Sequence, residues 1–259
     1  MRNVMRRFGQ ISCGILLLTA LALPLWAQRG NVGTGRYDEQ IDQDVTKLLQ
    51  SKDKWKGITA GTDDAIVTLN GSVRIYIDKA DAGRRVGKVS HVDGVRNHVQ
   101  VEGNVPDAEL REKLSDKLAY DRIGYGIMFN NLTLNVQDGV VTVGGQVHDY
   151  PSRDSAIAIV ASTQGVKDVI DDIEVLPTST FDDDLRVRIA RAIYGDPIMR
   201  KYTMDPQKPI RIIVDNGNVS LEGVVDSQMD RQIAEARARA VPNVFSVKNN
   251  LLIANQKSR

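Results

Sequence analysis

Val219-Ser220-Leu221-Glu222-Gly223-Val224-Val225 alternates apolar with small or polar residues up to a glycine. The same phrase stands twice more, as Val67-Thr68-Leu69-Asn70-Gly71-Ser72-Val73 and as Val141-Thr142-Val143-Gly144-Gly145-Gln146-Val147. Period-two alternation of this kind is the mark of a half-buried strand. The glycines Gly71, Gly145 and Gly223 lie 74 and 78 residues apart, too far for a solenoid repeat whose units must stack to bury a core. Each unit is therefore long enough to be a small domain of its own.

Upstream of each phrase an amphipathic helix is expected. Ile41, Val45, Leu48 and Leu49 make one apolar stripe, Leu110, Leu114 and Leu118 a second, and Leu185, Ile189, Ala192 and Ile193 a third. Asp107 behind Pro106, and Asp182 to Asp184, read as helix caps that complement the dipole. Between helix and phrase runs a first strand. It turns into the second through Gln137-Asp138-Gly139 in the middle unit and Asp215-Asn216-Gly217-Asn218 in the last, sequences suited to tight hairpins. In the first unit Thr62-Asp63-Asp64-Ala65 stands in place of the glycine turn, so the sequence signals that hairpin least clearly.

A second helix follows in each unit, roughly 78–90, 152–163 and 227–240, with Ser227 and Asp230 resembling a capping box. A valine-rich strand closes each unit. Hairpin strands are antiparallel and strands joined across a helix can be parallel. The expected fold class is thus α+β: three tandem small domains, each ordered helix, strand, strand, helix, strand, with a mixed three-stranded sheet and both helices on one face. Gly71, Gly145 and Gly223 are read as structural glycines that permit a bulge or the close approach of a helix.

The N-terminus follows a different logic. Arg2, Arg6 and Arg7 precede the apolar run Ile15 to Leu25, and Leu25-Trp26-Ala27 supplies a cleavage site. This pattern predicts a signal peptide over 1–27; an uncleaved signal anchor is the alternative, because the apolar run is slightly long and Trp26 stands near the cut. The expected divisions are a flexible entry at 28–36, domains at 37–104, 105–177 and 178–254, and a tail at 255–259. Loss of 1–27 removes three arginines and no acids, leaving 31 Lys and Arg against 33 Asp and Glu, a net charge of −2. That balance argues against nucleic acid as a partner. Cys13 leaves with the same segment, so no disulfide is available and apolar cores must hold the fold.

A helix, a V-x-L-x-G-x-V strand, a second helix and a closing strand such as Val244-Phe245-Ser246-Val247-Lys248-Asn249-Asn250-Leu251 together resemble the BON domain, named for bacterial osmotically inducible and nodulation proteins. The resemblance covers nearly the whole chain after the signal segment and is closest in the third unit. Pro242-Asn243 departs from it where the family often has glycine. The resemblance implies exported proteins of the cell envelope that associate with phospholipid surfaces or other envelope components, in the periplasm or outside the cell, without catalysis.

The residues themselves offer little chemistry. His91, His98 and His148 are the only histidines, none within zinc-ligand spacing of suitable partners, and no G-x-S-x-G elbow or dinucleotide fingerprint is present. No enzyme activity, cofactor or metal is expected. The distinctive residues lie between first helix and hairpin, where Tyr120, Arg122, Tyr125, Met128 and Phe129 in the second unit match Tyr194 and Tyr202 in the third. Rings with a polar tip suit the border between lipid and water, and cations beside them could meet phosphates. The competing reading is that these rings close a small core. At the level of function, binding to phospholipid competes with a periplasmic protein-interaction or stress-protective scaffold that recognises polypeptides or wall polymers along exposed sheet edges. Oligomeric state is not legible.

Overall fold

The computed structural model describes residues 37–120, 128–203 and 209–254, with the side chain of Tyr120 left out. The predicted signal segment, entry and tail, together with Arg122 and Tyr125, lie outside the described residues. The first unit runs α1 (Asp38–Gln50), a 3-10 turn (Asp53–Trp55), β1 (Ile58–Asp63), β2 (Ile66–Val73), α2 (Tyr76–Val86), β3 (Gly94–Asn97) and β4 (Gln100–Val101). The second runs α3 (Asp107–Tyr120), β5 (Asn131–Gln137), β6 (Val140–Val147), α4 (Tyr150–Ala161) and β7 (Asp168–Val175). The third runs α5 (Thr180–Tyr194), a 3-10 turn (Met199–Thr203), β8 (Arg211–Asp215), β9 (Asn218–Glu222), β10 (Val224–Val225), α6 (Gln228–Arg239), β11 (Ser246–Asn249) and β12 (Leu252–Ile253).

Each unit is a mixed sheet with the repeated phrase as its central strand. β2 pairs antiparallel with β1 and parallel with β3 and β4; β6 does the same with β5 and β7, and β9 with β8 and β11. The α+β order expected of the sequence is the order observed, and the two helices of each unit pack on one face. In the phrase, Val67, Leu69 and Val73 point into that face, as do Val141, Val143 and Val147, and Val219, Leu221 and Val225.

The glycine itself is not buried, yet its backbone runs so close to the neighbouring strand that no side chain fits there. A Cβ on Gly71 would meet the Gly57 carbonyl oxygen, one on Gly145 that of Asn131, and one on Gly223 would lie 2.7 Å from that of Pro209. The φ values of +120°, +97° and +127° belong to a region that L side chains rarely adopt. The approaching element is the head of the hairpin's own first strand, not a helix as the sequence reading allowed. The backbone N–H of Ser72 donates to the Gly57 carbonyl at 3.2 Å.

The interiors are separate. One cluster gathers Ile41, Val45, Trp55, Val67 and Leu69, another Leu110, Leu114, Val141, Val143 and Val160, and a third Leu185, Ile189, Ile193, Ile212 and Leu221. Among the described residues, two rings cross between units. Tyr76 of the first packs against the second unit's cluster, and Phe129 of the second is buried in the third's.

Candidate contact surface

All three hairpins turn through two residues of positive φ: Asp64 and Ala65, Asp138 and Gly139, Asn216 and Gly217. The first hairpin forms without glycine because the same external support holds it. An aspartate in the first turn of the preceding helix accepts both turn amides. Asp38 takes the N–H of Asp64 at 3.1 Å and of Ala65 at 3.0 Å; Asp107 those of Asp138 at 2.8 Å and Gly139 at 3.0 Å; Asp182 those of Asn216 at 3.0 Å and Gly217 at 2.9 Å. A carboxylate with two oxygens matches two adjacent amides. Asp107 and Asp182 are therefore hairpin clamps rather than caps; Ser179 caps α5, its hydroxyl accepting from Asp182 N–H at 3.1 Å.

At the opposite end of the sheet an aromatic ring closes the first and third units. Trp55 is buried and donates its indole N–H to the Asp78 carbonyl at 2.9 Å. Tyr202, 5% exposed, donates its hydroxyl to Asp230 at 2.7 Å and accepts the N–H of Asp226 at 2.7 Å. Burial pushes the Tyr202 phenol up to about 12. Beside each ring stands a lysine committed to acids. Lys54 meets Asp78 at 2.8 Å and Asp81 at 3.2 Å, and Lys201 meets Asp226 and Asp230 at 2.9 Å each.

These placements correct the expected contact residues. Phe129, 5% exposed, lies in the third unit's interior, with Met128 half-buried against the same cluster. Tyr194 is half-buried, its hydroxyl donating to the Ile210 carbonyl at 2.8 Å, and burial raises its pKa. With Tyr202 these rings fill cores and junctions instead of meeting solvent, since an apolar ring beside an unfilled core gains more by entering it.

The arginines of α6 are likewise engaged. Arg237 pairs with Asp196 at 2.7 Å, and Arg231 and Arg239 donate to the Asn249 and Val247 carbonyls at 2.8 Å and 3.2 Å, along the edge strand β11. On the other edge, Arg186 donates to the Val214 carbonyl at 2.6 Å, and Tyr194 covers the head of β8. Both edges of the third sheet are thus capped by side chains, which opposes strand addition there.

His91 stacks on Tyr37 with centroids 4.0 Å apart, and His98 is exposed. His148 lies between Asn130 Oδ1 at 3.0 Å and Asp149 Oδ2 at 2.9 Å, while the other oxygen of Asp149 caps α4 through Ser152 N–H at 2.7 Å. Among the described residues no cluster of three or more metal-ligating side chains occurs, and no helix is long and apolar enough to cross a membrane.

The exposed large apolar side chains tell more. Among the described residues, Phe181, Ile198, Met229, Phe245 and Leu252 belong to the third unit, against Tyr37, Tyr150 and Ile170 in the other two. The sequence reading named neither Phe181 nor Phe245 as a contact residue. The signal of Phe245 is visible only once the repeats are aligned, because its place is held by Asp93 and Lys167 in the other units, whereas Phe181 matches the exposed ring of Tyr37 in the first.

Three copies of one helix, hairpin, helix and strand module, each with a clamped turn and a glycine of positive φ held against the neighbouring strand, define a protein built from tandem small α+β domains. The BON domain model matches residues 37–103, 106–177 and 182–255: the chain belongs to the BON domain family. It is similar to the osmotically-inducible protein Y of Escherichia coli (strain K12), with 29% identity over 133 residues, 48% of this chain and 63% of that protein. The match thus spans less than two thirds of that relative. Two solved structures of CdsD, a structural protein of the type III secretion system of Chlamydia trachomatis, align over 83% and 82% of this chain and 92% and 96% of theirs, at 13% and 12% identity. Their TM-score of 0.24 is too low to support any argument.

Proposed function

We propose that this protein is exported to the cell envelope, has no catalytic role, and binds phospholipid surfaces through its tandem BON domains. The observation that carries the reading is that, among the described residues, five of the eight exposed large apolar side chains stand on the third unit, two of them, Phe181 and Phe245, stacked on one another. The basic and apolar pattern of residues 1–27 supports export, and the kinship with an osmotically inducible protein supports a role at a stressed envelope. The capped edges of the third sheet favour lipid over a polypeptide strand as the ligand.

Flotation of the purified protein with vesicles of zwitterionic lipid and of a zwitterionic and anionic mixture tests the binding. Recovery with vesicles is expected, and absence of the protein from both floated fractions refutes it. Mass measurement of the protein isolated from the envelope fraction tests export; a chain that begins at residue 28 is expected, and retention of the full-length chain in the cytosol overturns this part.

A further inference from the structure

Phe245, 72% exposed, and Phe181, 41% exposed, stack on one another with centroids 6.4 Å apart at the hairpin end of the third unit. The ring of Phe245 lies over the turn, so that a Cβ on Gly217 would come within 2.7 Å of its Cδ2. The other units serve as internal controls. The backbone N–H of Phe245 donates to the Gly217 carbonyl at 2.9 Å; Asp93 makes the same bond to Ala65 and Lys167 to Gly139, each at 2.9 Å. Phe181 precedes the clamp Asp182, as Tyr37 precedes Asp38 and Pro106 precedes Asp107. The module thus accepts an aspartate or a lysine where the third unit shows a bare phenyl ring. Packing does not require that ring, and leaving it in water sacrifices roughly 2 kcal/mol of available burial.

We propose that the Phe181 and Phe245 pair is the element that enters the border between headgroups and acyl chains, an inference that rests on the lipid reading above and assigns its site. A projecting pair of apolar rings at a hairpin tip suits a soft, deformable medium. Two nearby cations are engaged within the unit: Arg186 pairs with Asp183, and Arg188 pairs with Asp184 at 2.9 Å and donates to the Pro242 carbonyl at 3.2 Å. Attraction therefore comes from apolar area, and binding is insensitive to headgroup charge, unlike the cation-led contact that the sequence suggests.

The test uses Phe245→Lys and Phe181→Ala in the whole protein, with Phe245→Trp as a reporter. Phe245→Lys copies the residue that the second unit carries at this place, so its thermal unfolding is expected to match wild type while its partition onto vesicles falls at least about tenfold. Phe245→Trp is expected to shift its emission to shorter wavelength with zwitterionic and anionic vesicles alike. Wild-type flotation that Phe245→Lys leaves unchanged, or that rises steeply with anionic lipid, overturns this site and leaves the lipid reading standing. No flotation of wild type overturns both. A wild-type dimer that Phe245→Lys dissociates, with no blue shift on vesicles, shows a second copy to be the occupant and overturns the proposal.

Discussion

Removing the clamp in the third unit tests whether the hairpins are held from outside. Asp182 is 3% exposed and accepts two amides, at 3.0 Å from Asn216 and 2.9 Å from Gly217. Hydrogen bonds to a charged acceptor contribute about 1.5–3 kcal/mol each, and the buried Gly217 amide is left without a partner by truncation. Water reaches Asn216 more readily, so Asp182→Ala is expected to cost about 3–4 kcal/mol in all. Asp182→Asn should recover little, because its NH₂ faces one of the two donors. Asp38→Ala removes the same pair from a more exposed turn and is expected to cost about 1–2 kcal/mol. Urea unfolding gives the totals, and hydrogen exchange of the 210–222 segment reports the local loss. The reasoning is refuted if Asp182→Ala unfolds within about 0.5 kcal/mol of wild type, a change typical of an ordinary surface substitution, or if Asp38→Ala costs more.

Other outcomes follow from the same geometry. Gly145→Ala combines a φ of +97° with a collision against the Asn131 carbonyl, and a loss of about 3 kcal/mol or more is expected in thermal unfolding. Phe129→Ala, although in the second unit, is expected to destabilise the third by about 3–4 kcal/mol, read as faster hydrogen exchange in α5 and β8. Acid should weaken the third unit. Burial alone would raise the Asp230 carboxyl, but hydrogen bonds from Lys201, Tyr202 and Ser227 outweigh it and hold the group below the ordinary carboxylate range. A folded pKa below the unfolded one gives stability that is present above about pH 4 and is lost as pH falls through the folded value. Urea midpoints measured from pH 7 to pH 2 should decline in that lower window, and Asp230→Asn should flatten the decline.

The repeat was legible because its apolar period and glycine recur, and both belong to backbone geometry that every copy must satisfy. Val67, Leu69 and Val73 declare a buried strand face by spacing alone. The clamp was not legible as such, since an aspartate in a first helical turn has two uses, and Asp107 and Asp182 were assigned the nearer one. The hairpin partners of Asp38, Asp107 and Asp182 lie 26 to 35 residues away, beyond any local pattern. The aromatic residues failed for a related reason. Tyr202 and Phe129 carry no sign in the sequence of whether a ring meets water or a neighbour, and Trp55, alone among basic residues, escaped notice as the first unit's version of the same plug.

Three copies of one module allow a separation that a single domain does not. Where all units agree, as in the clamp aspartate and the glycine of positive φ, the fold itself demands the residue, because each copy meets the same backbone problem. Where they disagree at matching places, the fold is indifferent and another pressure chooses. Asp93, Lys167 and Phe245 occupy one backbone position with three chemistries, and only the third unit leaves that position apolar and bare. The units are thus alike in how they stand and unlike in what they present. The first and second units meet their neighbours through Tyr76 and Phe129, whereas Phe181 and Phe245 of the third stack on one another at its hairpin end.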